Sequence, residues 1–184
     1  MFPFMLLYDF VDTSHTLYHF KNCIKYLLHD AKFDVNEQSG EGTTPFHMAC
    51  YGGHPEVAMY LAKHGANVHA TNEWKCDAAQ FLGMTISSSQ SEVRKLCNFL
   101  KDEGISLIRR QNQGHTILHK AAQKLNHHII QWLANPSEKD GAGLSKEEFD
   151  LIGAPDLGGH KASQIWRKFG GDEKVADWME SLSW

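Results

Sequence analysis

No Cys-x-x-Cys pair occurs in this sequence: its four cysteines, Cys23, Cys50, Cys76 and Cys97, stand far apart, so no paired-thiolate motif is present. No long apolar run occurs either. Met-Phe-Pro-Phe-Met-Leu-Leu-Tyr at the N-terminus is apolar, but no basic residue precedes it and Asp9 follows at once. It is too short for a secretory leader with a cleavage site and far too short to cross a bilayer. We therefore expect reduced thiols in an intracellular protein of the cytoplasm or nucleus, with no membrane contact. An excess of positive charge is also lacking. Lysine and arginine number 18 against 22 aspartates and glutamates, a net charge of −4, which argues against nucleic acid as the partner because phosphate binding needs a cationic face.

Twelve histidines are present and invite a metal reading. His15 and His19 stand at i, i+4, a spacing that can chelate zinc on a helix. No His-Glu-x-x-His motif accompanies them and no third ligand is fixed by spacing. Residues 137–148 faintly resemble a calcium loop, but Lys139 and Ala142 fall where an oxygen ligand and a glycine are required. No local motif supports a Cys–His nucleophile. We expect no cofactor, no metal and no catalysis.

What is there is a repeated pattern. Residues 42–74 read Gly-Thr-Thr-Pro-Phe-His-Met-Ala, then Gly-Gly-His-Pro-Glu-Val, then His-Gly-Ala-Asn-Val. Thr44 suits the N-cap of a helix and Pro45 its first position, where a missing N–H costs nothing. Gly52-Gly53 stops that helix. Pro55 opens a second, on which Val57, Tyr60 and Leu61 form one apolar stripe at i, i+3, i+4. Gly65 ends it. Such a unit is too small to bury its own stripe: one Leu-sized side chain contributes roughly 1.5–3 kcal/mol on burial, while ordering each residue costs roughly 1–2 kcal/mol. It needs copies beside it.

The copies are present. Asp77 and Gln80 form a capping box at the next unit, whose second stripe is Val93, Leu96, Phe99 and Leu100. Thr85 to Gln90 reads there as an inserted, polar, flexible surface loop. Gly114-His115-Thr116-Ile117-Leu118-His119 restarts the pattern, followed by Ile129, Trp132 and Leu133. Asn135, suited to the left-handed conformation, and Pro136 close that helix. After an insertion over 137–155, in which Ser145 and the acidic residues behind it suggest a short capped helix, Gly159 begins the last copy. Gly170-Gly171 is its turn, and Val175, Trp178 and Met179 its second stripe. Backwards, Ile24, Leu27 and Leu28 match Val57, Tyr60 and Leu61, though the opening helix of that first copy, between residues 4 and 20, has no clear signature.

The period of 33 residues with Thr44-Pro45-Phe46-His47-Met48-Ala49, and Thr116-Ile117-Leu118-His119-Lys120-Ala121 as a second match, resembles the ankyrin repeat. The resemblance covers about residues 9 to 181. It implies an all-α solenoid of stacked helix-turn-helix units forming a single domain over 1–184, with units near 9–41, 42–74, 75–113, 114–158 (insertion 137–155) and 159–184. Lys75 stands where the pattern has a glycine with positive φ, which suggests an altered turn.

In ankyrin proteins partners are held by the turn tips and the exposed face of the first helices. Carried onto this sequence, the tips are Glu41 and Thr43; Glu73, Trp74 and Cys76; and Asn112, Gln113 and His115. The helix-face positions are Tyr51 and Gly52, Met84 and Thr85, and Gln123 and Lys124. Tyr51, Trp74 and Met84 would give an apolar centre with a polar rim. Trp74 either meets a partner or folds over the Lys75 turn. Arg109-Arg110 reads as a solvated basic turn ahead of a contact for an acidic partner. The expectation is a monomer that binds another protein without catalysis. The second reading is the adaptor part of a larger signalling or regulatory chain, motivated by the weak first unit and the lack of any other domain.

Overall fold

The computed structural model describes residues 22, 25–85, 87, 89–137 and 141–182. The His15/His19 pair, Cys23, Ile24, the opening helix of the first unit and the Lys139 position lie outside these residues. Among the described residues there is no strand. Within the described residues a five-residue π-helix, Tyr26–Asp30, is followed by nine α-helices: α1 (Pro45–Gly52), α2 (Pro55–Lys63), α3 (Ala78–Gly83), α4 (Gln90–Asp102), α5 (Ile117–Gln123), α6 (His127–Ala134), α7 (Lys146–Gly153), α8 (Ala162–Lys168) and α9 (Glu173–Ser181).

The helices pair in sequence and stack in two rows. α1 packs on α2, α5 on α6 and α8 on α9, while the first helices run α1–α3–α5–α8 and the second helices α2–α4–α6. Each pair shares its apolar stripe with its neighbours, which is what a short unit requires. The buried side chains accordingly form one continuous cluster from Phe46 to Ala176. Phe46 of α1 meets Phe99 of α4 edge-on at 6.4 Å between ring centroids, tying one pair to the next. The result is an all-helical array of repeated helix pairs, consistent with an ankyrin-repeat solenoid.

Caps explain where the first helices start. Thr44 accepts the His47 N–H at 3.3 Å, and His47 Nδ1 accepts the Thr44 N–H at 3.1 Å. His47 Nε2, 3.0 Å from the carbonyl of Ala70, then donates to it and fastens α1 to the next turn. Asp77 and Gln80 do the same under α3: Gln80 Oε1 accepts the Asp77 N–H at 2.8 Å and its amide donates to the Arg109 carbonyl at 2.9 Å. Thr116 and His119 repeat the arrangement under α5, with the carbonyl of His160 as the acceptor at 3.2 Å.

Several expectations need correction. Asn135 is extended (φ −86°, ψ 114°) rather than left-handed; its side chain instead accepts the Ser137 N–H at 2.9 Å. Two described residues of the stretch after Met84 depart from the expected surface loop. Gln90 belongs to α4, which runs thirteen residues against nine in α2, and Thr85 is buried. Ser87 closes over Gly53, leaving no room there for a Cβ. Arg109-Arg110 is not a solvated turn. Arg109 Nε lies 3.0 Å from the buried carboxylate of Asp77. Arg110 donates to the carbonyls of Gly114, Leu151, Ala154 and Pro155 at 2.9–3.1 Å, a cation on the C-terminal carbonyls of α7. Ser145 caps α7 as expected, accepting the Glu148 N–H at 3.2 Å, and Phe149 and Ile152 are buried.

Candidate partner-binding groove

The turn tips are built by one recurrent device. At Ser39, Asn72, Gln111 and Asp156 a polar side chain folds back on its own turn. Ser39 Oγ accepts the Thr43 N–H at 3.0 Å, Asn72 Oδ1 accepts those of Trp74 and Cys76 at 3.1 and 2.9 Å, and Asp156 Oδ1 accepts those of Gly158 and His160 at 2.8 Å. Gln111 Oε1 accepts the Gln113 N–H. These side chains mimic a backbone turn and stiffen it. Three residues on, the chain needs a positive φ at Gly42 (76°), Lys75 (62°), Gly114 (80°) and Gly159 (80°).

Successive tips are then laced together. The N–H of Glu73 donates to the carbonyl of Glu41, that of Asn112 to Trp74 and that of Leu157 to Gln113, each at 3.0 Å. The Asn112 amide adds a bond to the Glu73 carbonyl at 3.1 Å. The row of tips is therefore a rigid edge, and it borders a concavity over the first helices.

That concavity has a volume of about 600 Å³ and is lined by Glu41, Thr43, Met48, Tyr51, Asn72, Trp74, Cys76, Phe81, Met84, Gln111, Gln113 and Lys120. Seven of the residues assigned from sequence, Glu41, Thr43, Tyr51, Trp74, Cys76, Met84 and Gln113, come together in it. Trp74 is 44% exposed and lines the groove with Tyr51 and Met84. Tyr51 and Met84 are half-buried against the core. Glu73, Asn112 and Lys124 are exposed outside the groove, and Gln123 is half-buried. His115 is held elsewhere: its Nε2 lies 3.0 Å from Asp156 Oδ2. Burial keeps its pKa below the ordinary value despite that carboxylate. Gly52, Cys76 and Thr85 are buried.

Sequence reasoning missed Met48, Phe81 and Lys120 on the groove floor. They occupy one repeat position, four residues after each N-cap, so the register that identified the caps carried the signal. It also missed the turn-closing residues, although Ser39, Asn72, Gln111 and Asp156 recur with the spacings of the tip residues Gly42, Lys75, Gly114 and Gly159.

Electrostatically the groove has two ends. Lys120 is half-buried, and that burial, with Lys124 nearby, lowers its pKa from the ordinary lysine value. Glu41 is exposed at the far rim. Among the described residues neither forms an ion pair.

Burial pushes the Cys50 and Cys97 thiols far up, away from the nucleophilic thiolate. Among the described residues no group of three or more His, Cys, Asp or Glu is placed to hold a metal ion, and no helix is long and apolar enough to cross a membrane.

A family profile described as ankyrin repeats (many copies) matches residues 21–62. Residues 21–62 are an ankyrin-repeat segment. That segment takes in α1 and most of α2, and the helix pairs that follow extend the same architecture. The chain is also similar to protein phosphatase 1 regulatory subunit 27 of Homo sapiens, 39% identical over 51 residues, which is 28% of this chain and 32% of that one. The Mus musculus protein of the same name is 37% identical over the same share of each. A probable serine/threonine-protein kinase of Dictyostelium discoideum is 30% identical over 99 residues, 53% of this chain and 11% of the kinase. The matched stretch thus spans about a third of the regulatory subunits and about a tenth of the kinase.

Proposed function

We propose that this chain is a non-catalytic module that holds another protein in the groove between its turn tips and its first helices. The observation that carries the proposal is the half-open Trp74 ring sharing a cavity of about 600 Å³ with Tyr51, Met48 and Met84. Aromatic side chains beside methionines, bounded by polar tips, make the kind of centre in which interface energy concentrates. Glu41, Thr43 and Gln113 form the inner rim, and Glu73, Asn112, Gln123 and Lys124 the outer one. His115 serves the tip through Asp156. The helix pairs over residues 42–182 support the division into units near 42–74, 75–113, 114–158 and 159–184, with 9–41 preceding them.

Affinity capture with mass spectrometry on the wild-type chain identifies the partner. Trp74→Ala and Tyr51→Ala should each weaken its retention by about tenfold or more while circular dichroism stays native. Loss of the helical signal in both variants, or undiminished retention, would sink the proposal.

A second reading is favoured by the shape of the similarities. The relatives are named a protein phosphatase 1 regulatory subunit and a probable serine/threonine-protein kinase, and each is matched over only part of its length. In that reading the groove is the adaptor of a larger signalling or regulatory assembly, and a captured partner should include a phosphatase or kinase chain. Cytoplasm or nucleus is where such a module would work, and fractionation of tagged protein tests it.

A further inference from the structure

The groove is not electrically uniform. At one end stands the carboxylate of Glu41, on the tip that precedes α1; at the other stands the ammonium of Lys120, on α5, with α3 between them. Lys120 is half-buried in the groove with Cys76 and Phe81; burial lowers its pKa, Cys76 opposes that, and the like charge of Lys124 adds to it. A half-buried cation without a counter-ion is costly, and a carboxylate brought in by an occupant would recover the lost solvation as Coulomb energy in a low-dielectric site. Glu41, solvated, asks less of its partner but fixes the opposite sign at the opposite end. The chain as a whole carries a net charge of −4, so the Lys120 end is a local exception to its own background.

From this polarity we infer that the groove takes an extended segment of a partner protein in one direction. An acidic side chain reaches Lys120, a basic side chain reaches Glu41, and a bulky apolar side chain lies between them over Trp74 and Tyr51. This inference rests on the groove being the partner site and adds what the occupant must carry. The apolar middle supplies affinity and the two charges supply register, because the reversed segment would set like charges against each other.

A display library of random dodecapeptides, selected on the immobilised full chain, tests it. Wild-type protein should enrich sequences with one apolar or aromatic position flanked by an acidic residue on one side and a basic residue on the other. Lys120→Glu should exchange the acidic preference for a basic one, and Glu41→Lys should exchange the basic preference for an acidic one. Lys120→Met, which keeps the stem packed, should remove the acidic preference and leave the rest. Synthetic peptides from the winning set should bind wild type about fivefold or more tighter than Lys120→Met, with the gap closing in high salt. Enrichment that is abolished by Trp74→Ala yet blind to charge at both ends would overturn this inference and leave the partner groove standing. Failure to enrich any sequence would overturn both. Folding of each variant is verified by its circular dichroism, and Lys120→Met decides the matter if Lys120→Glu unfolds.

Discussion

Under α1 the first turn is closed by Thr44 and His47; under α3 the same work is done by Asp77 and Gln80. Each pair satisfies the N-cap amide, and each sends one donor to the carbonyl of the following turn, Ala70 or Arg109. The geometry is conserved between the two regions while the chemistry is not. An imidazole can take up a proton and an amide cannot. The carboxylate of Asp77 also brings in Arg109, a counter-ion that Thr44 does not need. The difference shows that this scaffold fixes hydrogen-bond roles rather than residue types, and it gives the two regions different responses to acid.

The largest effect should come from that response. Burial holds His47 and His119 down at about 4, against 6.5 in the unfolded chain. Above pH 6.5 both states are neutral and the stabilisation is fully present. Below it the unfolded chain takes protons that the folded chain refuses, so stability falls as pH drops toward about 4. The slope is about 1.4 kcal/mol per pH unit for each histidine at its steepest, several kcal/mol across the window. Burial also raises Asp77, which works in the opposite sense, and lowers His54, His115 and His127, which work in the same sense. These groups are common to wild type and to a His47→Gln/His119→Gln variant, so urea titrations of the two at pH 7 and pH 5 isolate the pair. The variant should lose markedly less stability. Parallel loss in both proteins would show that the imidazoles are not the cause.

Next in size is the amide itself. Gln80→Leu leaves the buried Asp77 N–H and the Arg109 carbonyl without their partners, at a cost of about 3 kcal/mol. Gln80→His should restore the arrangement seen under α1 and α5, staying within about 1 kcal/mol of wild type at pH 8 while acquiring a new acid sensitivity. A histidine variant as unstable as the leucine variant would mean that the two regions are not interchangeable after all.

The second region differs again in ending on Arg110, which holds the inserted helix α7 of the following unit. Arg110→Met removes three hydrogen bonds to the carbonyls at the end of α7 and one to Gly114 while keeping an apolar stem, and should cost about 2 kcal/mol. Amide exchange should rise in residues 146–153 and stay unchanged in 45–63. Uniform exchange across both would contradict a local staple.

Capping residues were legible in the sequence because they act over three or four residues: Thr44, Asp77, Thr116 and Ser145 announce their helices by local chemistry alone. The period then placed the helix pairs and, through them, most of the groove. What stayed hidden depends on partners remote in sequence. Arg110 reaches Leu151 across 41 residues, and nothing at positions 109–110 distinguishes a staple from a solvated turn. Thr85 is buried, and Ser87 closes over Gly53, which lies far back along the chain. Lys120 escaped notice because a lysine on a short helix ordinarily reads as a solvated face.

The smallest expected effect concerns Lys75, the one turn residue at which the irregular region breaks the pattern. Its φ of 62° lies in the left-handed region, where Gly42, Gly114 and Gly159 sit at 76° to 80°. A side chain there costs about 1–2 kcal/mol, while a glycine adds about 0.5–1 kcal/mol of unfolded-state entropy. The Lys75 side chain is exposed and its N–H is already bound to the Asn72 carbonyl at 2.9 Å, so nothing else is lost on truncation. Lys75→Gly should therefore stabilise the fold by about 0.5–1 kcal/mol, and Lys75→Ala, which keeps the Cβ, should not. The converse, Gly42→Ala, sets a Cβ 3.3 Å from Asn72 Cα at a positive φ and should destabilise by about 1–2 kcal/mol. Urea midpoints of the three variants at pH 7 decide it. Destabilisation by Lys75→Gly would mean that the lysine contributes something to this turn beyond its strain, and that the two tips, alike in their hydrogen bonds, are held by different forces.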